Sequence, residues 1–507
     1  MTNKIIQIEN LKKIILNLKK KGKKVIHCHG VFDLLHIGHI NHFKAAKELG
    51  DMLVVTITSD QYVFKGPNRP AFNQQNRLEA LAALNVIDYV ALNNNPTAVI
   101  AIHKLRPSIY CKGPDYKFHA NDISGEIKNE ITAVKKVGGK IVYTKGDTFS
   151  SSSLINKFTQ NYSPEQKIII NKIKKNYSFS KIKKIIEDFK RIKVLVIGET
   201  IIDQYVFCDA IGKSGKEPVL VLKDVKTEQY LGGAAAVSKH ISSFCKNITL
   251  LSMLGEKEEF LREIKKDLPK NIKFNYLKKK NSPTILKKRF LEHASNNKIL
   301  GVYKINDDPL AETEEKLFKN KLQKLIKNHD LTIVSDYGHG LISENSAKII
   351  CKNSKYLALN AQVNAANIGY HSMRKYKNVD CVIINEKEIR HELRDKNNNI
   401  RYLMKRLVVE QKIKKLVVTR GFNGSILYDK KSNKFKSSDA FAKNSVDKIG
   451  AGDAMLSLIS LCLKSKIDDE LALLTGSLAA AVSVESIGNK ESIKKLKILK
   501  SIEHLLK

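Results

Sequence analysis

The chain has 507 residues, 42% of them hydrophobic, with 26 glycines and 10 prolines; this is long for one core and supplies apolar material for two or three, so at least two domains are expected. No apolar run approaches the ~20 residues that cross a bilayer, the N-terminus lacks the apolar core of a signal peptide, and seven scattered cysteines without a CxxC pair argue against a disulfide framework or a zinc ribbon, so a cytoplasmic protein with no membrane partner is expected. A net charge of +38 concentrates polyanions, but the lysines are spread along nearly every expected helix and no nucleic-acid-binding module is recognisable, so small anionic substrates and not nucleic acid are the expected partners.

From residue 24 to 160, short β-rich runs alternate with helical patterns. The runs "KVIHCHGVF", "MLVVTITS", "YVAL", "SIYCKG" and "KIVYT" are separated by helices through "HINHFKAAKELG", "QQNRLEALAALN", "PTAVIAIHKL" and "EIKNEITAVKKVG". Strand and helix repeating in this order imply a parallel sheet covered on both faces. Residues 1–160 are therefore expected to form one α/β domain of nucleotide-binding size. Residues 161–191 are lysine-rich with helical spacing and little β character, and read as a helical linker. Strand pattern restarts at Lys193 with "KVLVIGETIIDQYVF", opening a second, larger α/β domain over 192–507. Its most apolar runs, "AMLSLISLCL" and "LTGSLAAAVSV", read as buried helix segments.

In the first domain, "HCHGVFDLLHIGHINHF" (His27 to Phe43) holds five histidines. Val25 and Ile26 lead as a strand into a turn at Gly30, and His36, Gly38 and His39 fall at the start of the next helix. A helix N-terminus presents unpaired N–H groups and partial positive charge, where anions bind. Histidines at i and i+3 share a helical face, and each imidazole can donate to a phosphate oxygen. Gly38 between them admits a nucleotide close to the backbone. A metal site needs convergent ligands; His27 and His29 share a strand face but no motif such as HExxH accompanies them. The cluster therefore reads as a phosphate site, with His42 on the helix surface.

"GVFDLLHIGH" resembles the signature of the HxGH nucleotidylyltransferases, and "VFKGPNRP" with Lys65, "NRLEALAAL" with Arg77, "CKGPDY" with Lys112 and "TFSSSSLIN" follow in that family's order. Together they are similar to the adenylyltransferase half of the bifunctional ADP-heptose synthases. The resemblance implies a Rossmann-like domain in which a sugar phosphate oxygen attacks the α-phosphate of a nucleoside triphosphate and pyrophosphate leaves. It implies His36, His39 and Lys65 as catalytic residues, and Gly30, Phe32, Gly38, Arg77, Lys112, Ser150, Ser151 and Ser152 as nucleotide-binding ones. Asp33 either caps the turn or touches substrate. Where the family commonly carries a basic residue before its last Ser/Thr run, this chain has Thr148 and Phe149, which leaves Lys145 to substitute.

In "FAKNSVDKIGAGDAMLSLISL", Gly450, Ala451 and Gly452 precede an apolar helix, so their N–H groups can form an anion hole at its N-terminus. Asp453 stands where a carboxylate can take a proton from a substrate hydroxyl or cap the helix. From about Arg191 to Gly488 the chain resembles the ribokinase-like (PfkB) sugar kinases. The matching segments are "VIGETIIDQY" with Asp203, "YLGGAAAVSKHI" with Gly232 and Gly233, "SDYGHGL" with Asp336, "NEKE" with Asn385 and Glu388, "VVTRGFNG" with Thr419, Gly421 and Gly424, and "GAGDA". The resemblance implies a ribokinase-like α/β domain in which Asp203, Gly232, Gly233 and Asp336 hold the sugar and Asp453 is the base. Asn385 and Glu388 would position Mg2+ near the triphosphate, Glu388 indirectly, and Thr419 to Gly424 would line the ATP pocket with Gly450 to Gly452. Lys288 and Arg289 are candidates for a phosphate already on the sugar, or form a solvated basic strand end. His339 stands where heptose kinases usually have a lysine, and "LNAQVN", 359–364, replaces their "DPK"-like strand end.

These readings combine into a sugar kinase joined to a sugar-phosphate nucleotidylyltransferase, with Mg2+ as cofactor and ATP or another nucleoside triphosphate as substrate. The resemblance implies phosphorylation of a heptose 7-phosphate at O1 and transfer of AMP to a heptose 1-phosphate, with the two domains in the reverse of the family's usual order. The alternative is a cytidylyltransferase for a polyol or glycerol phosphate joined to a different or degenerate PfkB-type kinase. Ribokinase-like enzymes often dimerise, so a homodimer is compatible with either.

Overall fold

Short runs rich in Val, Ile and Leu, buried on both faces, are the expected signature of parallel strands, and the largest sheet of each unit is built mainly from them. In the computed structural model, which describes residues 4–66, 69–114, 125–144, 162–364, 367–442 and 445–506, two units separate: Met1–Tyr162 with Leu499–Lys507, and Ser163–Ile498.

The first unit carries β1 (Val25–Gly30), β2 (Met52–Thr58), β3 (Tyr89–Asn93), β4 (Ile109–Lys112) and β5 (Lys140–Tyr143). They lie in the order β3-β2-β1-β4-β5, every pair parallel. The order reverses between β1 and β4, and in open α/β sheets ligands bind outside the carboxyl ends of the strands at such a point. All five expected strands are present, as are the helices Ile37–Lys47, Gln74–Ala82, Val99–Leu105 and Glu126–Lys136 between them. Phe43 on the first of these helices packs into a core with Ile26, Cys28, Leu53 and Val55 from the sheet.

The second unit holds a nine-stranded sheet in the order β10-β9-β6-β13-β14-β15-β16-β17-β18. Its strands are β6 (Lys193–Gly198), β9 (Asn247–Gly255), β10 (Ile272–Lys279), β13 (Leu331–Asp336), β14 (Leu357–Ala361), β15 (Cys381–Asn385), β16 (Lys415–Thr419), β17 (Ser425–Asp429) and β18 (Lys434–Ser438). Pairing is parallel from β10 to β16 and antiparallel through the last two strands. A second sheet, β12-β11-β7-β8, comprises β7 (Thr200–Lys213), β8 (Leu220–Gly233), β11 (Leu286–Glu292) and β12 (Lys298–Lys304). The two apolar runs of the C-terminal region form the helices Ala451–Lys464 and Asp469–Ser483, buried along nearly their whole length. Among the described residues no helix is long and apolar enough to cross a membrane.

The segment 161–191 does form helices, Pro164–Asn176 and Phe179–Asp188. Ser163 and Gln166 close a capping box at the start of the first. Gln166 also donates to the Ala440 carbonyl (2.6 Å), and Tyr177 to Asp468 (2.7 Å), so these helices are part of the second unit's own packing.

Candidate functional site

At the end of β1 the chain turns through Phe32, whose φ of 49° is left-handed, and enters the helix Ile37–Lys47 with His36 at its N-cap. The rings of His36 and His39 stack with centroids 3.9 Å apart, so the i, i+3 spacing brings both imidazoles to one place. The Lys65 ammonium acts on both, pulling their basicity down alongside burial, which places it at the same site. Burial comes first among the causes that push His39 down to about 3, followed by His36 and Lys65. His39 is therefore a neutral hydrogen-bonding group at physiological pH. Gly38 lies between the two histidines in the first helical turn, and Gly30 ends β1 with the Phe32 ring against it.

Other expected nucleotide contacts are corrected by the structure. Arg77 is 2% exposed and donates to the carbonyls of Phe72 (3.0 Å), Val31 (2.6 Å) and Thr58 (2.9 Å) and to Asp60 Oδ1 (2.6 Å). Its guanidinium ties three loop segments together. Lys112 is buried and paired with Glu130 at 2.8 Å, so its charge is already met inside the unit. Phe32 is a core residue, edge-on to His39 at 5.2 Å and packed on Phe43, and its role is to seat the histidine. Asp33 takes the capping alternative: it is buried and accepts from the Phe72 amide (3.0 Å) and Arg69 (3.3 Å). His27 and His29 both bond Thr56 Oγ1 at 2.8 Å, a structural arrangement on β2. Ser150, Ser151, Ser152 and Lys145 lie outside the described residues.

The second unit encloses a cavity of about 540 Å³. Twelve residues expected from motifs spread over 250 positions line it: Asp203, Gly233, Arg289, Asn385, Glu388, Thr419, Gly421, Gly424, Gly450, Ala451, Gly452 and Asp453. The left-handed Gly450 (φ 91°) starts the helix Ala451–Lys464, and a Cβ there would come within 2.3 Å of Asn489 Oδ1, so only glycine permits this entry. Asn385 and Glu388 cap the helix Glu386–Leu393 reciprocally, at 2.9 and 2.7 Å. Asp203 accepts from Arg289 at 2.5 Å, and a Cβ on Gly232 would lie 2.2 Å from Asp203 Oδ2, so Gly232 makes room for that carboxylate and does not itself line the cavity.

Two further expectations are corrected. Lys288 does not line the cavity; Lys287 does, with Arg289, because side chains alternate along β11 and residues 287 and 289 share a face. Asp336 is fully buried beside the cavity, accepting from Tyr376 (2.6 Å) and Lys375 (2.8 Å), and serves the interior. His339, at the position where a lysine resembles the family better, is also buried, with Nδ1 2.6 Å from Asp307 Oδ1. The segment "LNAQVN" contributes Asn360 and Gln362 to the cavity wall.

Four residues that matter here were not singled out from the sequence, although three of them lie inside the motif segments. Besides Lys287, these are Tyr337, Glu199 and Asp447. The Tyr337 hydroxyl donates to Asp453 Oδ1 at 2.8 Å. Glu199 is fully buried and accepts the amides of Tyr337 (2.9 Å) and His339 (3.2 Å), which fixes the loop that aims that hydroxyl. Asp447 anchors the approach to Gly450 by accepting from the amides of Ile449 (3.2 Å) and Gly488 (3.1 Å) and from Lys298 (2.6 Å). Burial pushes the Asp453 carboxyl up to about 7, a rise opposed by the Tyr337 donor, assisted by Asp203 and opposed again by Lys287. Glu388 is also pushed up to about 7, by burial first.

A family model described as pfkB family carbohydrate kinase matches residues 191–496, and one described as Cytidylyltransferase-like matches residues 27–185. The chain is 29% identical over 306 residues to the Bifunctional protein HldE of Campylobacter jejuni subsp. doylei, covering 59% of this chain and 62% of that protein. It is 36% identical over 167 residues to the Bifunctional protein HldE of Trichlorobacter lovleyi, covering 32% of this chain and 33% of the relative. Each of these matches spans less than two thirds of the relative's length. Among solved structures, phosphofructokinase-2 from Escherichia coli in complex with potassium shares the fold of the second unit, with a TM-score of 0.51 at 16% identity, covering 62% of this chain and 100% of that one.

Three outcomes are expected from this geometry. Replacing Arg77 with Met strips the carbonyls of Phe72, Val31 and Thr58 of their donor, the last of them buried; an unpaired buried acceptor costs ~1–3 kcal/mol, and the first unit should be destabilised by about that much in chemical denaturation followed by a probe in that unit. Any reaction that uses Asp453 as base needs its carboxylate form, so activity should fall below an acid limb near pH 7, by about tenfold per unit. Tyr337→Phe removes a hydrogen bond to the charged form, which raises the carboxyl further, and the limb in the pH–rate profile should move to higher pH.

Proposed function

Because the chain belongs to the pfkB family of carbohydrate kinases, matched over residues 191–496, we propose that its second unit phosphorylates a hydroxyl of a sugar phosphate with ATP. Its first unit, on the same reading, transfers a nucleotidyl group from a nucleoside triphosphate to a sugar 1-phosphate. The observation that carries the kinase reading is the single cavity in which Asp453, a glycine-led helix N-terminus and the cations Lys287 and Arg289 meet. The resemblance to the ADP-heptose synthases and the likeness to HldE proteins support a heptose phosphate as substrate and ATP as nucleotide in both reactions.

In the kinase step the Asp453 carboxylate accepts the proton of the attacking hydroxyl, and the sugar oxygen bonds to the γ-phosphorus as the β–γ bridge breaks and ADP leaves. Negative charge on the transferring group faces the amides of Gly450 to Gly452 and the positive end of the helix Ala451–Lys464. Lys287 and Arg289 hold the phosphate the sugar already carries, with Asp203 fixing the guanidinium. Mg2+ prefers oxygen ligands, and Asn385 and Glu388 on the cavity wall fit it; they would hold it, Glu388 indirectly, and the ion would supply positive charge to offset that of the triphosphate.

In the nucleotidyl step a sugar phosphate oxygen attacks the α-phosphorus and the α–β bond breaks to release pyrophosphate. The stacked imidazoles of His36 and His39 donate hydrogen bonds to the α-phosphate oxygens, and Lys65 supplies positive charge beside them. Both are positioning and electrostatic devices, with no covalent intermediate on the protein.

The test is incubation of the purified chain with ATP or CTP, Mg2+ and a panel of sugar phosphates, following pyrophosphate and ADP separately. His39→Ala should abolish pyrophosphate release and spare ADP formation, while Asp453→Asn should cut ADP formation by about 10²-fold or more and spare pyrophosphate. Loss of both activities from either variant in a folded protein overturns the two-site reading, and pyrophosphate from CTP alone overturns the adenylyl assignment. Within the kinase site, Lys287→Ala should raise the KM for the sugar phosphate by about 10- to 100-fold, the equivalent of losing a charge-assisted hydrogen bond. Lys288→Ala should change it by less than about twofold.

A further inference from the structure

Cys28 on β1 and Cys111 on β4 are direct partners in the parallel register. Neighbours in register leave the same face of a sheet, and on that face both thiols pack in the cluster that includes Phe43 from the helix Ile37–Lys47. His42 is the residue before Phe43 on that helix. One donor atom from each of Cys28, Cys111 and His42 lies within 4.8 Å of the others. Both cysteines are fully buried, and neither is in a disulfide.

The orientation of His42 is the second observation. Its Nδ1 lies 2.9 Å from Thr144 Oγ1, and the Thr144 hydroxyl is directed at the Lys112 carbonyl, 3.4 Å away. With that hydroxyl donating to the carbonyl, Oγ1 accepts from Nδ1–H, and the lone pair of the imidazole is on Nε2. Histidines that ligate metals are held in this way, the second ring nitrogen donating to an oxygen that sets tautomer and ring angle.

We infer that Cys28, Cys111 and His42 form a binding site for one thiophilic divalent metal ion of the Zn2+ class, independent of the nucleotide and sugar sites. Two sulfurs and one imidazole nitrogen with no carboxylate suit Zn2+ or Co2+ and not Mg2+ or Ca2+. Binding one Zn2+ releases the two thiol protons and forms two metal–thiolate bonds, so the dication, two thiolates and neutral imidazole sum to zero charge, which a buried site tolerates. The nearest lysine, Lys112, is already paired with Glu130. Such an ion would pin β1 and β4 to the helix whose first turn carries His36 and His39, and so hold those imidazoles in place.

The experiment is a Co2+ titration of the full chain in the reduced state, read by thiolate-to-cobalt charge transfer in the near ultraviolet and by the intense visible bands of tetrahedral Co2+. One equivalent per chain, displaced by Zn2+, is expected. Cys28→Ser and Cys111→Ser should each lose the charge-transfer band, and Cys351→Ser, in the second unit, should keep it. Thr144→Val retains all three ligands and should weaken Co2+ binding by about 10- to 100-fold, which tests the site without touching a core thiol. A wild-type chain with no charge-transfer band, a band that survives in Cys111→Ser, or equal affinity in Thr144→Val overturns the proposal and leaves the two thiols as an ordinary core pair. None of these readouts depends on nucleotide or sugar turnover, so the result stands apart from the functional reading above.

Discussion

A parallel strand can be followed by another only after the chain has crossed back over the face of the sheet, so the carboxyl ends of all the strands, and the loops that leave them, gather along one rim. Both units depend on this constraint. In the first, β1 delivers the turn to His36. In the second, β6 ends just before Glu199, β13 just before Tyr337, β15 at Asn385 and β16 at Thr419. Segments hundreds of positions apart in the chain therefore contribute to one cavity.

Gathering polar groups on a rim that is also partly buried has an electrostatic cost, and the structure meets it by distributing charge unevenly. Asp336 is fully buried, and although burial works against its carboxylate, Lys375 and His371 hold it charged and low. At Glu199 beside it, burial and the Asp336 charge push the carboxyl up to about 7, against two backbone N–H donors and a weaker effect of Lys375. The same balance recurs at Asp453, where burial raises and the Tyr337 hydroxyl restrains. A carboxyl poised near neutrality in a cavity is suited to accept a proton and release it again.

Much of this was readable from pattern. Apolar runs of four to seven residues bounded by helical spacing marked every strand of the first sheet, and the glycines ahead of Asp453 marked a helix N-terminus. Twelve of the motif residues from Asp203 to Asp453 line one cavity. The failures have specific physical causes. Lys288 and Lys287 are adjacent and chemically identical, and only the strand's phase relative to the cavity distinguishes them. Arg77 has the charge of a phosphate ligand, but three carbonyls that come together only in the folded loop region take its donors first. Cys28, His42 and Cys111 follow no spacing rule, because parallel register and a helix laid across the sheet bring them together.

The order of residue types along the chain was enough to determine which segments become strands and helices, that there are two α/β units, and where two glycine-bearing turns open helices. Those properties are local: they depend on hydrophobic period, on backbone freedom at glycine and on unpaired amides within one helical turn. Which cations face the cavity, which acid is pushed toward neutrality and which hydroxyl restrains it were decided only by tertiary packing. Burial and charge proximity are properties of the neighbours a fold assembles, and those neighbours come from parts of the chain far apart in sequence.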